Sequence, residues 1–170
     1  DVPRDGRLCV ACLSNFSWQR GTDRLIEIAA ALRGLGRRDV LFVVAGRMEM
    51  SRSLPGRLKE TARRGGDFAD HVRTCGLEDM FLFLGHIQAP ERVLAACDVL
   101  VKPTRERNPW GRDILEALAA GRPVASVGTY GRFVETDRTG LLQPEFDADG
   151  VARWISGMAD DRARCRRIGE

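Results

Sequence analysis

Along this chain short apolar runs alternate with segments whose apolar residues recur at helical spacing. Leu8–Leu13 contains no strongly polar residue and reads as a buried strand. Leu25, Ile28, Ala29 and Leu32 then form the stripe of an amphipathic helix, with Thr22 as N-cap and Gly34 or Gly36 as the stop. Val40–Ala45 predicts a second strand ending at Gly46. Residues 47–57, with Gly and Pro, predict a loop and a short helix after Pro55. Phe68, Val72 and Cys75 mark another helix, closed by Gly76. Met80–Leu84 is a third strand ending at Gly85, Glu91–Ala96 a short helix, and Val99–Val101 a fourth strand stopped by Pro103. Trp110–Ala120 predicts a helix with Ile114, Leu115 and Leu118 on its buried face and Gly121 as its stop. Pro123–Val127 and Leu141-Leu142 read as the fifth and sixth strands, and Val151–Met158 and Asp161–Ile168 as closing helices.

Strands without polar alternation are covered on both faces, which requires helices above and below a parallel sheet. The expected fold is therefore α/β, a Rossmann-like doubly wound parallel sheet with helices on both faces, over residues 8–170. Residues 1–7 are polar, contain Pro3 and Gly6, and lack the apolar core of a signal peptide, so they read as a linker from a longer chain. In such sheets ligands bind beyond the carboxyl ends of the strands. The loops at 14–21, 46–48, 85–88, 104–112 and 128–132 should accordingly face one crevice.

Composition narrows the class. A chain of 170 residues, 44% hydrophobic and 30% charged, fits one soluble globular domain. No apolar run reaches the ~20 residues of a membrane span. The formal charge is +3, and the basic residues are nearly all arginine, Lys59 and Lys102 being the only lysines. Acidic residues are interspersed, so no basic stripe argues for nucleic acid, while the arginine bias leaves room for weak peripheral association with an anionic membrane face. Five cysteines at 9, 12, 75, 97 and 165 form no disulfide framework, and Cys9 and Cys12, three apart on a strand, point to opposite faces. They read as buried thiols in a reducing, cytoplasmic compartment.

Two loops carry candidate chemistry. Ser14–Gly21 joins a strand to a helix whose N-terminus favours phosphate, with Arg20 as a cation at the mouth and Gly21 permitting close backbone approach. It has no Walker lysine and no G-x-G-x-x-G, so an ordinary polar loop with an exposed arginine fits equally. Pro103–Gly111 leads into the helix bearing Glu116, which lies about 100° from Leu115 on the flank of the stripe. A carboxylate there can accept two hydroxyl hydrogen bonds from a ribose diol, or can simply be a surface partner of Arg112.

The stretch Asn108-Pro109-Trp110-Gly111-Arg112-Asp113-Ile114-Leu115-Glu116-Ala117-Leu118-Ala119-Ala120-Gly121-Arg122-Pro123-Val124 resembles the signature of the group 1, or family 4, retaining glycosyltransferases. Their usual pattern is E-P-F-G-x-x-x-x-E-A-x-A-x-G-x-P-V, within a two-domain GT-B fold. The likeness extends to Ser14–Gly21, Phe83-Leu84-Gly85, Cys97–Thr104 and Asp137–Leu142, in family order. It implies the C-terminal, donor-binding domain of such an enzyme, transferring a sugar from a nucleotide diphosphate to an acceptor hydroxyl with retention. The acceptor domain and the helix that crosses back onto it are expected to lie outside this sequence, so the chain alone should bind donor without turnover. The partner is then a nucleotide sugar, most commonly UDP-linked in the family, with GDP or ADP as the other choices. No cofactor and no metal are implied.

The resemblance also assigns roles. The family's diphosphate-binding Arg and Lys map onto Asn15 and Arg20, so one cation is replaced, with Arg47 or Arg112 as substitutes. Glu116 falls on the ribose-binding Glu and Asn108 on the first Glu, which meets the donor sugar; these two are the catalytic candidates. The amides of Gly111, Arg112 and Asp113 would face the β-phosphate, and His86 would border the nucleobase. The neutral Asn15 and Asn108 leave two alternatives open: a degenerate structural or regulatory domain, or another GT-B enzyme such as a sugar-nucleotide epimerase.

Overall fold

The computed structural model describes residues 2–169. Asp1, the start of the expected linker, and Glu170 lie outside the described residues. The strands are β1 (Leu8–Leu13), β2 (Val40–Ala45), β3 (Phe81–Gly85), β4 (Val99–Lys102), β5 (Val124–Val127) and β6 (Gly140–Gln143). The helices are α1 (Arg24–Gly34), α2 (Gly56–Arg63), α3 (Phe68–Thr74), α4 (Pro90–Ala96), α5 (Arg112–Ala119), α6 (Ala148–Asp160) and α7 (Arg162–Gly169). The six strands are all parallel, in the order β3-β2-β1-β4-β5-β6. Chain progression reverses between β1 and β4, the position at which an open α/β sheet parts to admit a ligand.

Both faces of the sheet are covered. Alternate residues of β1 and β2 feed two separate cores, because successive side chains on a strand point oppositely. Leu8, Val10 and Cys12 join Phe42, α1 and α6 on one face, whereas Cys9, Ala11, Leu41 and Val43 meet Leu94, Ile114 and Ala117 of α4 and α5 on the other. Cys9 and Cys12 thus belong to different cores, as their strand spacing predicts. At the sheet edge β3 is less enclosed, with Leu82, Phe83 and Leu84 only half-buried.

Several local expectations are corrected. Met80 ends a short 3-10 turn, Glu78–Met80, instead of starting β3. Thr22 does not cap α1; its hydroxyl accepts from the Ser17 amide at 3.2 Å, and Asp23 occupies the cap position. Helix α5 begins at Arg112 and not Trp110, because Gly111 at φ 147° breaks the helical path just before it. The buried face of α5 is Ile114 and Ala117, while Leu115 is 44% exposed. Leu115 therefore sits outside the core stripe and was the wrong reference for locating Glu116. Of residues 2–7, Val2 packs against the second core and Arg7 donates to the Asp79 carbonyl at 3.2 Å.

Candidate functional site

Beyond the carboxyl ends of β1 and β4 the Ser14–Thr22 and Pro103–Gly111 loops are fastened together. Gly21 (φ 72°) is buried under the second loop, and a Cβ there would stand 2.0 Å from the Pro103 carbonyl oxygen. Arg24 donates to the carbonyls of Pro103 and Thr104 at 3.0 and 3.1 Å. The Arg105 amide donates to the Gln19 carbonyl at 2.8 Å. The Arg105 guanidinium lies 3.5 Å over the Trp18 ring and makes two 2.7 Å bonds to the Asp23 carboxylate. That half-buried, bidentate pair is the stronger kind of ion pair, and it fixes the spacing of the two loops.

Between the loops opens a crevice of about 800 Å3. Of the residues named from the sequence, Asn15, Arg20, His86, Gly111, Arg112, Asp113 and Glu116 all line it. Gly21 lies beneath it, and the close approach that Gly21 permits is to Pro103. Asn108 stands instead in an adjoining hollow with Trp110, Tyr130 and Phe133. The 128–132 loop, expected at the same crevice, borders that hollow too. The Gly128 backbone packs against Arg107 and Pro109, which carries the loop away from the β1/β4 opening.

The charges are arranged unevenly. Arg20 is exposed, reaches the Ser14 hydroxyl at 3.4 Å, and has no carboxylate partner among the described residues. Arg112 lies 3.5 Å from the Glu116 carboxylate, itself partly exposed. Asn15 is engaged structurally, its carboxamide oxygen accepting from the Arg47 amide at 2.8 Å and so tying the β1 loop to the β2 loop. The Arg47 side chain does not line the crevice, so only Arg112 of the two expected substitutes stands there.

Sequence reasoning missed Lys102. The last residue of β4, it points into the crevice and donates to the Trp110 carbonyl at 2.9 Å and to Asp113 Oδ1 at 3.0 Å. The signal was available: one of two lysines in the chain, placed directly before Pro103 at a strand's carboxyl end. The Asp113 carboxylate also accepts from the Ile114 amide at 3.0 Å. The amides of Arg112 and Asp113, in the first turn of α5, have no intrahelical acceptor and remain for a ligand. Nearby, burial and the Asp113 carboxylate push the Cys12 thiol up to about 12, so it stays protonated at neutral pH.

The crevice can therefore take an anion at Arg20, Lys102 and the α5 amides, and a hydroxyl donor at Glu116. Among the described residues no cluster of three or more His, Cys, Asp or Glu is arranged to hold a metal ion. The Asp147-Ala148-Asp149 tripeptide at the start of α6 does not line the crevice.

A family model described as glycosyl transferases group 1 matches residues 7–161. No curated protein matches the chain. Among solved structures it resembles HepE from Anabaena in complex with UDP-glucose, at TM-score 0.74 and 24% identity over 96% of this chain and 42% of HepE. It also resembles TarM from S. aureus, solved with UDP among its ligands, at 0.76 and 20% identity over 99% of this chain and 32% of TarM. The C-terminal domain of LpcC from Francisella tularensis gives 0.71 and 21% identity, over 96% of this chain and 80% of that domain. Likeness at these identities is one of fold. The chain spans less than half of HepE and of TarM.

Proposed function

The chain belongs to the group 1 glycosyltransferases, and on that footing we propose that its crevice is the donor site for a nucleoside-diphosphate sugar. One observation carries the proposal: Arg20, Glu116 and the amino end of α5 open onto the same crevice. Arg20, Lys102 and the amides of Arg112 and Asp113 stabilise the diphosphate, most strongly as charge builds on it during departure. Glu116 accepts the ribose hydroxyls, and His86 borders the base. Asn108, in the hollow beside Trp110, is assigned to the sugar, where its carboxamide can hydrogen-bond a hydroxyl without adding charge.

In this proposal the full-length enzyme transfers the sugar to an acceptor hydroxyl with retained configuration, and the acceptor is held by a further domain. HepE was solved with UDP-glucose, which makes UDP the first nucleotide to try, ahead of GDP and ADP. The linker over 1–7 and the domain over 8–170 remain part of the proposal. So does a cytoplasmic location, in keeping with five unpaired thiols. No helix of the described residues is long and apolar enough to cross a membrane.

Calorimetry of the 170-residue chain with UDP, GDP and ADP tests the site. Binding of one of them should weaken by about 1–3 kcal/mol in Glu116→Ala. Unchanged affinity in a folded variant would remove Glu116 from the site. The engagement of Asn15 by Arg47 and of Lys102 by Asp113 favours one rival, a domain that has lost its ligand and serves structurally. Absence of affinity for all three nucleotides decides for that rival.

A further inference from the structure

At the opposite, amino edge of the sheet, around the starts of β1 and β4, lies a separate cavity of about 480 Å3. Its charged lining is Arg4, Arg7, Arg122, Arg162, Arg166 and one carboxylate, Asp98. The whole chain carries 27 basic and 24 acidic residues, so this local excess is not the chain's average composition. Asp98 is already committed, accepting from the Cys9 amide and from Arg162, both at 2.8 Å. Arg7 is paired with Asp5 at 2.7 Å. Arg4, Arg122 and Arg166 have no carboxylate partner among the described residues.

The inner arginines are held in place by the backbone. Arg162 donates to the Gly6 carbonyl and Arg122 to the Ala95 carbonyl, each at 3.1 Å. Arg122 Nε is buried with no acceptor among the described residues. Leaving a charged donor buried and unsatisfied costs free energy, and so does gathering cations around one hollow. An oxyanion in the cavity relieves the second of these. A concave wall with five guanidinium groups against one carboxylate also concentrates the field that draws such an ion in.

We propose that this cavity binds a phosphate-type oxyanion, at a site distinct from the one proposed for the donor at the opposite edge. Guanidinium forks match phosphate oxygens in pairs, and the volume lies in the range of small-molecule sites. The phosphate can come from a soluble ester or from a lipid headgroup, and the experiment separates the two.

The first arm is amide NMR of the 170-residue chain titrated with inorganic phosphate. The Cys9, Asp98 and Gly121 amides should shift saturably. The Arg122→Gln/Arg166→Gln variant should weaken that response about tenfold or more, whereas Arg20→Ala should leave it intact. Arg166→Gln alone, at an exposed position, should weaken it measurably and serves if the double variant does not fold. The proposal is overturned if phosphate shifts only amides of the opposite edge, such as Ser14 and Gly111, or if the arginine variants bind as the parent does. The second arm is sedimentation with phosphatidylglycerol vesicles against phosphatidylcholine vesicles. Selective sedimentation that the double variant loses assigns the phosphate to a lipid headgroup. A saturable phosphate titration without sedimentation assigns it to a soluble ester.

Discussion

Replacing Gly21 by alanine tests whether the two loops that frame the crevice are set by a backbone contact. Gly21 sits at φ 72°, and a Cβ would lie 2.0 Å from the Pro103 oxygen and 2.8 Å from its carbonyl carbon. A carbon–oxygen contact needs about 3.3 Å, so the loops must part by about 1.3 Å. The left-handed backbone alone costs about 1–2 kcal/mol with a side chain, and forced overpacking about 1–3 kcal/mol. Gly21→Ala should therefore lose about 2–5 kcal/mol, a melting point lower by roughly 4–20 °C for a domain of this size. Gly36→Ala isolates the first contribution, since Gly36 has φ 76° and nothing within 4 Å of a Cβ. It should cost only about 1–2 kcal/mol. Urea unfolding followed by tryptophan fluorescence suits the comparison, Trp18 lying in the affected loop. Because Arg20 adjoins Gly21 and Lys102 adjoins Pro103, nucleotide affinity in folded Gly21→Ala should also fall, by about ten- to a hundredfold. Equal destabilisation by the two substitutions would refute the reasoning, for then the contact contributes nothing beyond backbone strain.

Three further outcomes are expected. Lys102→Met should weaken UDP about tenfold while leaving uridine unchanged, and Asp113→Asn, which releases Lys102 and removes a nearby negative charge, should tighten UDP several-fold; calorimetry reads both. Burial, assisted by the Arg57 guanidinium, holds the His71 imidazole below its ordinary 6.5. Its contribution to stability is complete above 6.5 and is lost as pH falls through the lower folded value, because the unfolded chain takes up the proton first. Unfolding free energy should drop as pH falls below 6.5 toward the lower folded value, and His71→Asn should flatten part of that slope. Burial also pushes the Cys12 and Cys97 thiols up to about 12 and Cys165 up to about 11, so native iodoacetamide labelling near neutral pH should begin at half-buried Cys75 and reach these three only on unfolding.

The order of strands and helices was legible in the chain because each apolar run must be buried along its whole length. Leu8–Leu13 and Val40–Ala45 emerged with the bounds that their sequence suggests. Ends were less legible where a side chain had a better offer elsewhere: Thr22 turned to the Ser17 amide, and Asp23 to Arg105. Periodicity put Leu115 inside, yet helix α5 presses Ile114 and Ala117 on the sheet, and its angle of rotation depends on its neighbours.

Sequence alone thus determined the parallel α/β architecture, the family and the residues Asn15, Arg20, His86, Gly111, Arg112, Asp113 and Glu116 that share one crevice, because periodicity and motif are properties of contiguous residues. Tertiary structure alone decided that Asn108 stands in a separate hollow, that Lys102 faces Asp113, and that Arg4, Arg122 and Arg162 converge at the far edge. The last of these joins residues distant along the chain, which only the packing of β1 beside β4 brings together; the first two depend on how the Pro103–Gly111 loop turns between β4 and α5, which no periodicity records.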